Sequence, residues 1–273
     1  MHALLDFAVA WTAYDFMRLA MAAVLLIAPL FALLGTMVVD GRMAFFADSL
    51  GHSAMTGVAL GVLLGLKTPL WAMLLFGIAY AALLTYVKAR GSASTDTTIG
   101  VFSATGMALG VVLLSRNGGF SKYAGYLIGD LLSITPGELI AAAAVLGITL
   151  LYWVFCYNRL LLVSVSGALS ASRGVRVRLI ELSFACLLAV VVMLSIRWVG
   201  ILIISALLVL PSAAARNLAR SVRGYHAWAI AIALCCSVVG LLLSFVWDTA
   251  SGATIVLALA AVYLVTLLPG IKR

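Results

Sequence analysis

The sequence is poor in charged residues. Only 10% of its 273 residues are Asp, Glu, Lys or Arg, whereas a soluble globular domain has roughly 25%. Hydrophobic residues make up 65% of the chain, and its mean hydropathy is +1.22. Because so few polar side chains cannot cover a folded chain in water, we predict an integral membrane protein.

Several catalytic motifs are also missing. The chain has no Gly-Lys-Ser/Thr of a phosphate-binding loop, no HExxH, no GxSxG and no CxxC pattern. We therefore expect a transport subunit rather than an enzyme, without a permanently bound cofactor. The longest polar-leaning connections hold about twenty residues, too few for a separate folded core. The sequence predicts one transmembrane domain over residues 1–273, and any energy-transducing or substrate-capturing domain must belong to another chain.

Long apolar runs recur along the whole chain. Taking about 20 apolar residues per crossing, we predict an all-α, polytopic helical bundle with eight or nine transmembrane helices. The candidate spans are 19–39, 44–66, 70–87, 99–115, 139–156, 179–196, 198–215, 227–247 and 253–268. The span 198–215 follows its predecessor almost without a loop and ends near Pro211, so a re-entrant segment is the alternative there. Residues 123–134 could form a further short embedded piece.

The basic residues fall mainly on one side of these spans. With nine spans and the N-terminus outside, 12 of the 17 Lys and Arg residues lie on the inner side, as the positive-inside rule requires. They are Arg42, Lys88, Arg90, Arg159, Arg173, Arg176, Arg178, Arg216, Arg220, Arg223, Lys272 and Arg273. The net charge of +8 therefore reflects membrane orientation, and we expect no nucleic-acid partner. If 198–215 is re-entrant, most of this charge asymmetry disappears.

Asp48 and His52 interrupt the apolar run 43–65. On a helix, residues four apart lie on one face, and ionisable groups within a membrane usually serve a function. A carboxylate and a neutral imidazole suit a divalent first-row metal such as zinc or manganese. The alternatives are a structural hydrogen bond between the two residues and a proton relay. Two ligands are too few for a tight structural site, so a metal role would be transient.

Two further patterns concern helix packing and a loop. Gly57, Gly61 and Gly65 repeat at a spacing of four and predict a ridge on which another helix packs closely. Residues 166–172 predict a short amphipathic helix, ended by Gly174. This segment is either a plain solvated loop or a cytoplasmic docking element for a partner protein.

Four stretches resemble the permeases of metal-uptake ABC transporters, the group that imports zinc, manganese or iron. They are residues 41–61, 126–136, 199–216 and 244–256, and they occur in the family's order. The resemblance covers the chain from about residue 18 to its C-terminus. It implies the permease fold of the type II ABC importers in a bacterial cytoplasmic (inner) membrane. It also implies a homodimer, two copies of a cytoplasmic ATPase and an extracytoplasmic metal-binding protein as partners.

The resemblance also implies roles for individual residues. Asp48 and His52 match the family's paired intramembrane acid and histidine, which handle the transported metal. Residues 164–177 match the segment on which the family docks its ATPase. The residues expected to carry this docking are Ser166, Gly167, Ala168, Leu169, Ser170, Arg173 and Gly174. Where the family usually has an acidic residue before the docking helix, this chain has Val165-Ser166-Gly167.

The transported ion and the energy source are separate expectations. The stretch Leu127-Ile-Gly-Asp-Leu-Leu132 is more similar to the zinc-type members than to the manganese-type members, so we expect Zn²⁺, with Mn²⁺ or iron as the alternative. A proton-coupled secondary transporter, in which Asp48 and His52 relay protons, is the main rival. A membrane enzyme or assembly subunit is the second rival, and the missing catalytic motifs disfavour it.

Overall fold

Helices make up the secondary structure of the part of the chain described by this computed structural model, residues 14–90, 94–116, 123 and 125–268. The helices are α1 (Asp15–Asp40), α2 (Ala44–Leu63), α3 (Leu70–Arg90), α4 (Thr95–Arg116), α5 (Gly125–Ile128), α6 (Pro136–Val165), α7 (Gly167–Ser172), α8 (Val177–Val199), α9 (Ile201–Leu218), α10 (Val222–Trp247) and α11 (Ser251–Thr266). A 3-10 turn, Leu131–Ser133, follows α5. The all-α prediction is confirmed.

Each predicted span corresponds to one helix, but the number of crossings is only approximate. Six of the described helices are long and apolar enough to cross a membrane by themselves, namely α1, α3, α4, α6, α8 and α10. Helices α9 and α11 are apolar but shorter. Helix α2 has twenty residues, and Asp48 and His52 lower its hydropathy. Six helices are therefore long and apolar enough for a full crossing, whereas α2, α9 and α11 are shorter or less apolar.

The chain between α4 and α6 forms short elements. Residues 125–134 contain α5 and the 3-10 turn, both far too short to cross a bilayer. The side chain of Leu131 is buried, and the backbone N–H of Asp130 donates to the carbonyl of Arg197 at the end of α8. The segment packs into the bundle, as expected for a short embedded piece; residue 124 lies outside the described residues.

The break between α8 and α9 is a single residue. Gly200 has a φ of +88°, a conformation that glycine adopts readily. Helix α9 continues through Pro211 to Leu218, so the predicted end at residue 215 is three residues early. Near its end, Arg216 pairs with Asp40 at the end of α1, with Nη1 and Oδ1 3.8 Å apart. Helix α9 thus returns to the end of the bundle where α1 terminates, which contradicts the re-entrant alternative.

This end of the bundle carries many of the basic residues. Arg42 and Lys88 line one cavity with Asp40, and Arg216 pairs with the same aspartate. By the positive-inside rule we call it the cytoplasmic end. Of the 12 basic residues that define the predicted inner side, Lys272 and Arg273 lie outside the described residues.

Helices α1, α2 and α9 lie at the centre of the bundle. Helix α1 packs against α6, α9 and α10, and α2 packs against α3, α4, α8 and α9. The predicted glycine ridge on α2 is confirmed at two of its three positions. A Cβ on Gly57 would lie 2.7 Å from Met73 Cα, and one on Gly61 would lie 2.8 Å from Pro69 Cα. Gly65 has no such neighbour and instead supplies a left-handed turn, with φ of +67°.

The close approach of α2 and α3 predicts that Gly57→Ala destabilises the protein. Because the added methyl group meets the backbone of Met73, we expect a loss of about 1–3 kcal/mol in the free energy of unfolding. Gly147→Ala is the control, since a Cβ there meets nothing within 4 Å. Thermal unfolding of both variants in detergent measures the difference. Equal stability of the two variants would contradict this packing.

Candidate functional site

Helix α2 places Asp48 and His52 side by side. Asp48 Oδ2 and His52 Nε2 are 3.5 Å apart, and the two side chains are 42% and 28% exposed. The predicted stacking at a spacing of four is therefore confirmed. The separation is longer than an ordinary N–H···O hydrogen bond of about 2.7–3.2 Å. This separation fits both a weak hydrogen bond between the two side chains and two ligands of one ion.

The other polar residues of α2 hold the helix in place. Ser49 forms a hydrogen bond with the Tyr80 hydroxyl of α3, and the Thr56 hydroxyl donates to the carbonyl of Gly106 in α4. The Ser53 hydroxyl donates to the Leu50 carbonyl of the same helix at 2.8 Å. The bonds of Ser49 and Thr56 to the neighbouring helices fix the rotation of α2 about its axis, and with it the direction in which Asp48 and His52 face, whereas the Ser53 bond stays within α2.

Asp48 and His52 line a cavity of about 540 Å³ between α2 and α4. Because both side chains are partly exposed, the cavity is open to the surface of the single chain. Its lining residues are Phe45, Asp48 and His52 from α2, and Asp96, Ile99, Gly100, Ser103, Ala104 and Met107 from α4. An open, partly polar groove between two helices of a membrane protein can hold water or an ion.

Two details complete the surroundings of the pair. The hydroxyl of Ser205 in α9 lies beside the Asp48 carboxylate. His52 Nδ1 is buried and has no hydrogen-bond partner among the described residues. No group of three or more His, Cys, Asp or Glu residues that could hold a metal occurs in the described part of the chain. One copy of the chain therefore offers two ligands here.

Sequence reasoning missed the α4 wall of the cavity and Ser205. Asp96, Gly100, Ser103 and Met107 follow one another at spacings of four, three and four, which places them on one face of a helix. That signal was available in the sequence. It could not identify which helix this face meets, because several apolar helices compete for the same contact.

The predicted short helix at residues 166–172 is confirmed as α7, Gly167–Ser172. The Ser166 side chain accepts from the backbone N–H of Leu169 at 3.3 Å, so this serine caps the helix as an acidic residue would. At the other end, the N–H groups of Gly174 and Val175 donate to the carbonyls of Ala171 and Ser170. Gly174 has a φ of +76°, the left-handed residue that ends such a helix.

Most of the predicted docking residues are accessible. Gly167, Ala168, Arg173 and Gly174 are exposed, Leu169 is 43% exposed, and Ser166 is partly buried. Ser170 differs because its side chain is fully buried and donates to the Ser166 carbonyl at 2.8 Å. Ser170 therefore lies on the buried side of α7, and the other predicted docking residues form its exposed side.

A second cavity joins this segment to the start of α2. It has a volume of about 320 Å³ and lies at the cytoplasmic end. Ser164 and Val165, just before α7, line it together with Arg42, Met43 and Phe46, where the chain turns into α2. Arg42 has a φ of +53°, so this turn holds a non-glycine residue in an unfavourable backbone conformation.

Comparison with known proteins finds one family model and relatives that cover most of the chain. The model of the ABC 3 transport family matches residues 13–269. The chain is 34% identical to the high-affinity zinc uptake system membrane protein ZnuB of Haemophilus influenzae, over 86% of this chain and 90% of that protein. It is 26% identical to the manganese import system permease protein ScaB of Streptococcus gordonii, over 93% of this chain and 91% of that protein.

A solved structure has the same fold. PsaBC from Streptococcus pneumoniae, in complex with Fab, superimposes with a TM-score of 0.85. The match covers 97% of this chain and 96% of the other at 24% identity. The helical arrangement described above is therefore shared with that chain.

The backbone cap after α7 predicts that Gly174→Ala loosens this segment, whereas Gly167→Ala at the start of α7 does not. Gly174→Ala forces a side chain into a left-handed conformation, at a cost of about 1 kcal/mol. We expect faster amide hydrogen exchange at residues 174 and 175. Gly167→Ala is the control, since its Cβ has only an ordinary contact at 4.0 Å with Val177. Equal exchange in the two variants would mean that this cap does not hold the segment.

Proposed function

This chain belongs to the ABC 3 transport family, and from this premise we propose that it is the permease subunit of an ATP-driven importer of divalent metal ions. It is a multi-pass protein of the bacterial inner membrane. The proposed ion is Zn²⁺, with Mn²⁺ or iron carried by the same architecture as the alternative. The ion passes from an extracytoplasmic binding protein through the membrane to the cytoplasm.

The single observation that carries this proposal is the geometry of Asp48 and His52. Two ligands of a tetrahedral zinc ion, each about 2.1 Å from the metal, lie about 3.4 Å from each other. The observed Oδ2 to Nε2 separation is 3.5 Å. An ion can therefore be bound between these two atoms with little rearrangement. The neighbouring Ser205 hydroxyl supports the carboxylate.

The choice of zinc rests on donor chemistry and on similarity. An imidazole paired with one carboxylate suits zinc well, and manganese prefers a site richer in oxygen ligands. The zinc-system relative has the higher identity to this chain, 34% against 26% for the manganese-system relative. The donor chemistry favours zinc over manganese, and neither argument involves a residue that would reject manganese.

A second copy of the chain completes the proposed site. In a lone copy, the exposed faces of Asp48 and His52 would lie toward lipid, where charged and polar groups are costly. A two-fold dimer that joins the α2 and α4 faces covers them and supplies a second aspartate and histidine. The four ligands then equal the number in a tetrahedral zinc site.

Such a site is suited to release its ion. A metal-bound histidine normally donates its other ring N–H to a partner, and His52 Nδ1 has none among the described residues. The absence of such a partner typically lowers metal affinity about 10–100-fold. An import pathway needs this compromise, because an ion that binds too tightly does not leave.

The ATPase is proposed to bind at α7. Its exposed residues, including Leu169, form a small capped surface at the cytoplasmic end. Movement of α7 would reach the start of α2 through the cavity shared by Val165 and Met43. Since Asp48 lies one helical turn beyond that start, docking and metal handling are connected over a short path.

The proposed site predicts that Asp48→Ala and His52→Ala each lower metal uptake about tenfold or more, because each removes a ligand. The assay is uptake of radioactive zinc, and in parallel manganese, into liposomes that contain the complete transporter. Ser53→Ala is the control on the same helix, since its hydroxyl bonds within α2 and does not line the cavity. Wild-type uptake by both variants would refute the metal role.

The same liposomes separate the proposal from a secondary transporter. Uptake driven by a proton gradient, without the ATPase, would favour the proton-relay alternative.

The docking surface predicts that Leu169→Asp reduces co-purification of the ATPase about tenfold or more, because a charge replaces a central apolar contact. Leu64→Asp is the control. Leu64 is also an exposed leucine, 72% exposed, and it follows the end of α2 that points away from the cytoplasmic end. The measurement is the amount of ATPase retained by each tagged permease. Equal retention would mean that the ATPase binds elsewhere.

A further inference from the structure

Asp96 faces the same cavity as Asp48 and His52, although it belongs to another helix. It lies in the first turn of α4 and is exposed. The cavity of about 540 Å³ is continuous from His52 to Asp96. A third ionisable residue therefore opens onto the proposed metal pathway.

The packing of α2 against α4 fixes the depth of Asp96. A Cβ on Gly106 would lie 3.2 Å from Ser53 Cβ, and one on Gly110 would lie 2.6 Å from the Met55 carbonyl carbon. The two helices run in the same direction, so this register places Asp96 level with the turn before α2. Asp96 then lies roughly five residues, or about 7 Å along the axis, on the cytoplasmic side of Asp48.

The charge on Asp96 is unpaired within the described chain, unlike the charge on Asp40 at the same end of the bundle. Asp40 is paired with Arg216, whereas Asp96 forms no ion pair with any described residue. The surrounding cytoplasmic end is basic, with Lys88 and Arg90 just before α4. A doubly charged ion that leaves the cavity here meets repulsion from these residues. Asp96 supplies the local negative charge that opposes it.

We propose that Asp96 is a second cation-binding position at the cytoplasmic mouth of the cavity, which receives the divalent ion as it leaves Asp48 and His52. The proposal rests on the function proposed above. A single exposed carboxylate binds a hydrated ion weakly and exchanges it quickly. It lowers the barrier to exit without trapping the ion. Asp96 should therefore affect the rate of transport and leave the capture of the ion unchanged.

The competing explanation is local. An acidic residue in the first turn of a helix is stabilised by the helix dipole, whatever it faces. Thr97 is the next residue in the same turn, is exposed and does not line the cavity. The double variant Asp96→Asn/Thr97→Asp keeps a charge at the helix end and removes it from the cavity wall. This variant separates the two explanations.

The test uses the complete transporter in liposomes and measures zinc uptake against zinc concentration. For Asp96→Asn we expect the maximal rate to fall about fivefold, the size of a screened interaction between a carboxylate and a divalent ion at this distance. The half-saturating concentration should stay as in the wild type. Asp96→Glu should keep most of the rate, and the double variant should remain slow. Thermal unfolding midpoints and ATPase retention, measured in parallel, should be unchanged.

Two results would overturn the proposal. One is a wild-type rate for Asp96→Asn. The other is recovery of the rate in the double variant, which would assign Asp96 to helix stability alone. If Asp48→Ala loses uptake while Asp96→Asn does not, only this inference fails. If Asp48→Ala also transports normally, the proposed function itself fails. Should Asp96→Asn fold poorly, the double variant provides the same comparison with the helix charge retained.

Discussion

The structure depends on the difficulty of placing a carboxylate and an imidazole inside a bilayer. Asp48 and His52 lie on a helix that packs against four others, and their polar ends still open into a cavity. Neither side chain can face lipid without a large loss of solvation. The bundle therefore leaves the groove between α2 and α4 open while it fills the contacts around the rest of α2.

The apolar bulk of the chain serves to hold this one polar face in position. Gly57 and Gly61 bring α3 into backbone contact, and Thr56 bonds to α4. These contacts leave little freedom for α2 to rotate. A weak metal site needs such support, because two ligands per chain cannot organise themselves around an ion. In the proposed site, the two ligands that each chain offers and the fixed position of α2 are complementary features.

The cytoplasmic end brings the proposed site and the proposed docking surface close together. Helix α7 is capped at both ends, by the Ser166 side chain and by the backbone bonds of Gly174 and Val175. The cavity beneath it also touches Met43, immediately before α2. The strained turn at Arg42 lies between the two. The proposed docking surface therefore lies next to the turn that leads into the helix of Asp48.

By itself the sequence determined the membrane class, the approximate spans, the helical stacking of Asp48 on His52, and the capped helix at Gly174. Each of these follows from composition or from local spacing along the backbone. Only the tertiary structure decided that α4 provides the opposite wall, that Ser205 supports Asp48, and that α9 reaches Asp40. In water, hydrophobic periodicity marks the side of a helix that faces the core. In a bilayer, lipid and protein interior are equally apolar, so the sequence carries little information about which helix faces which.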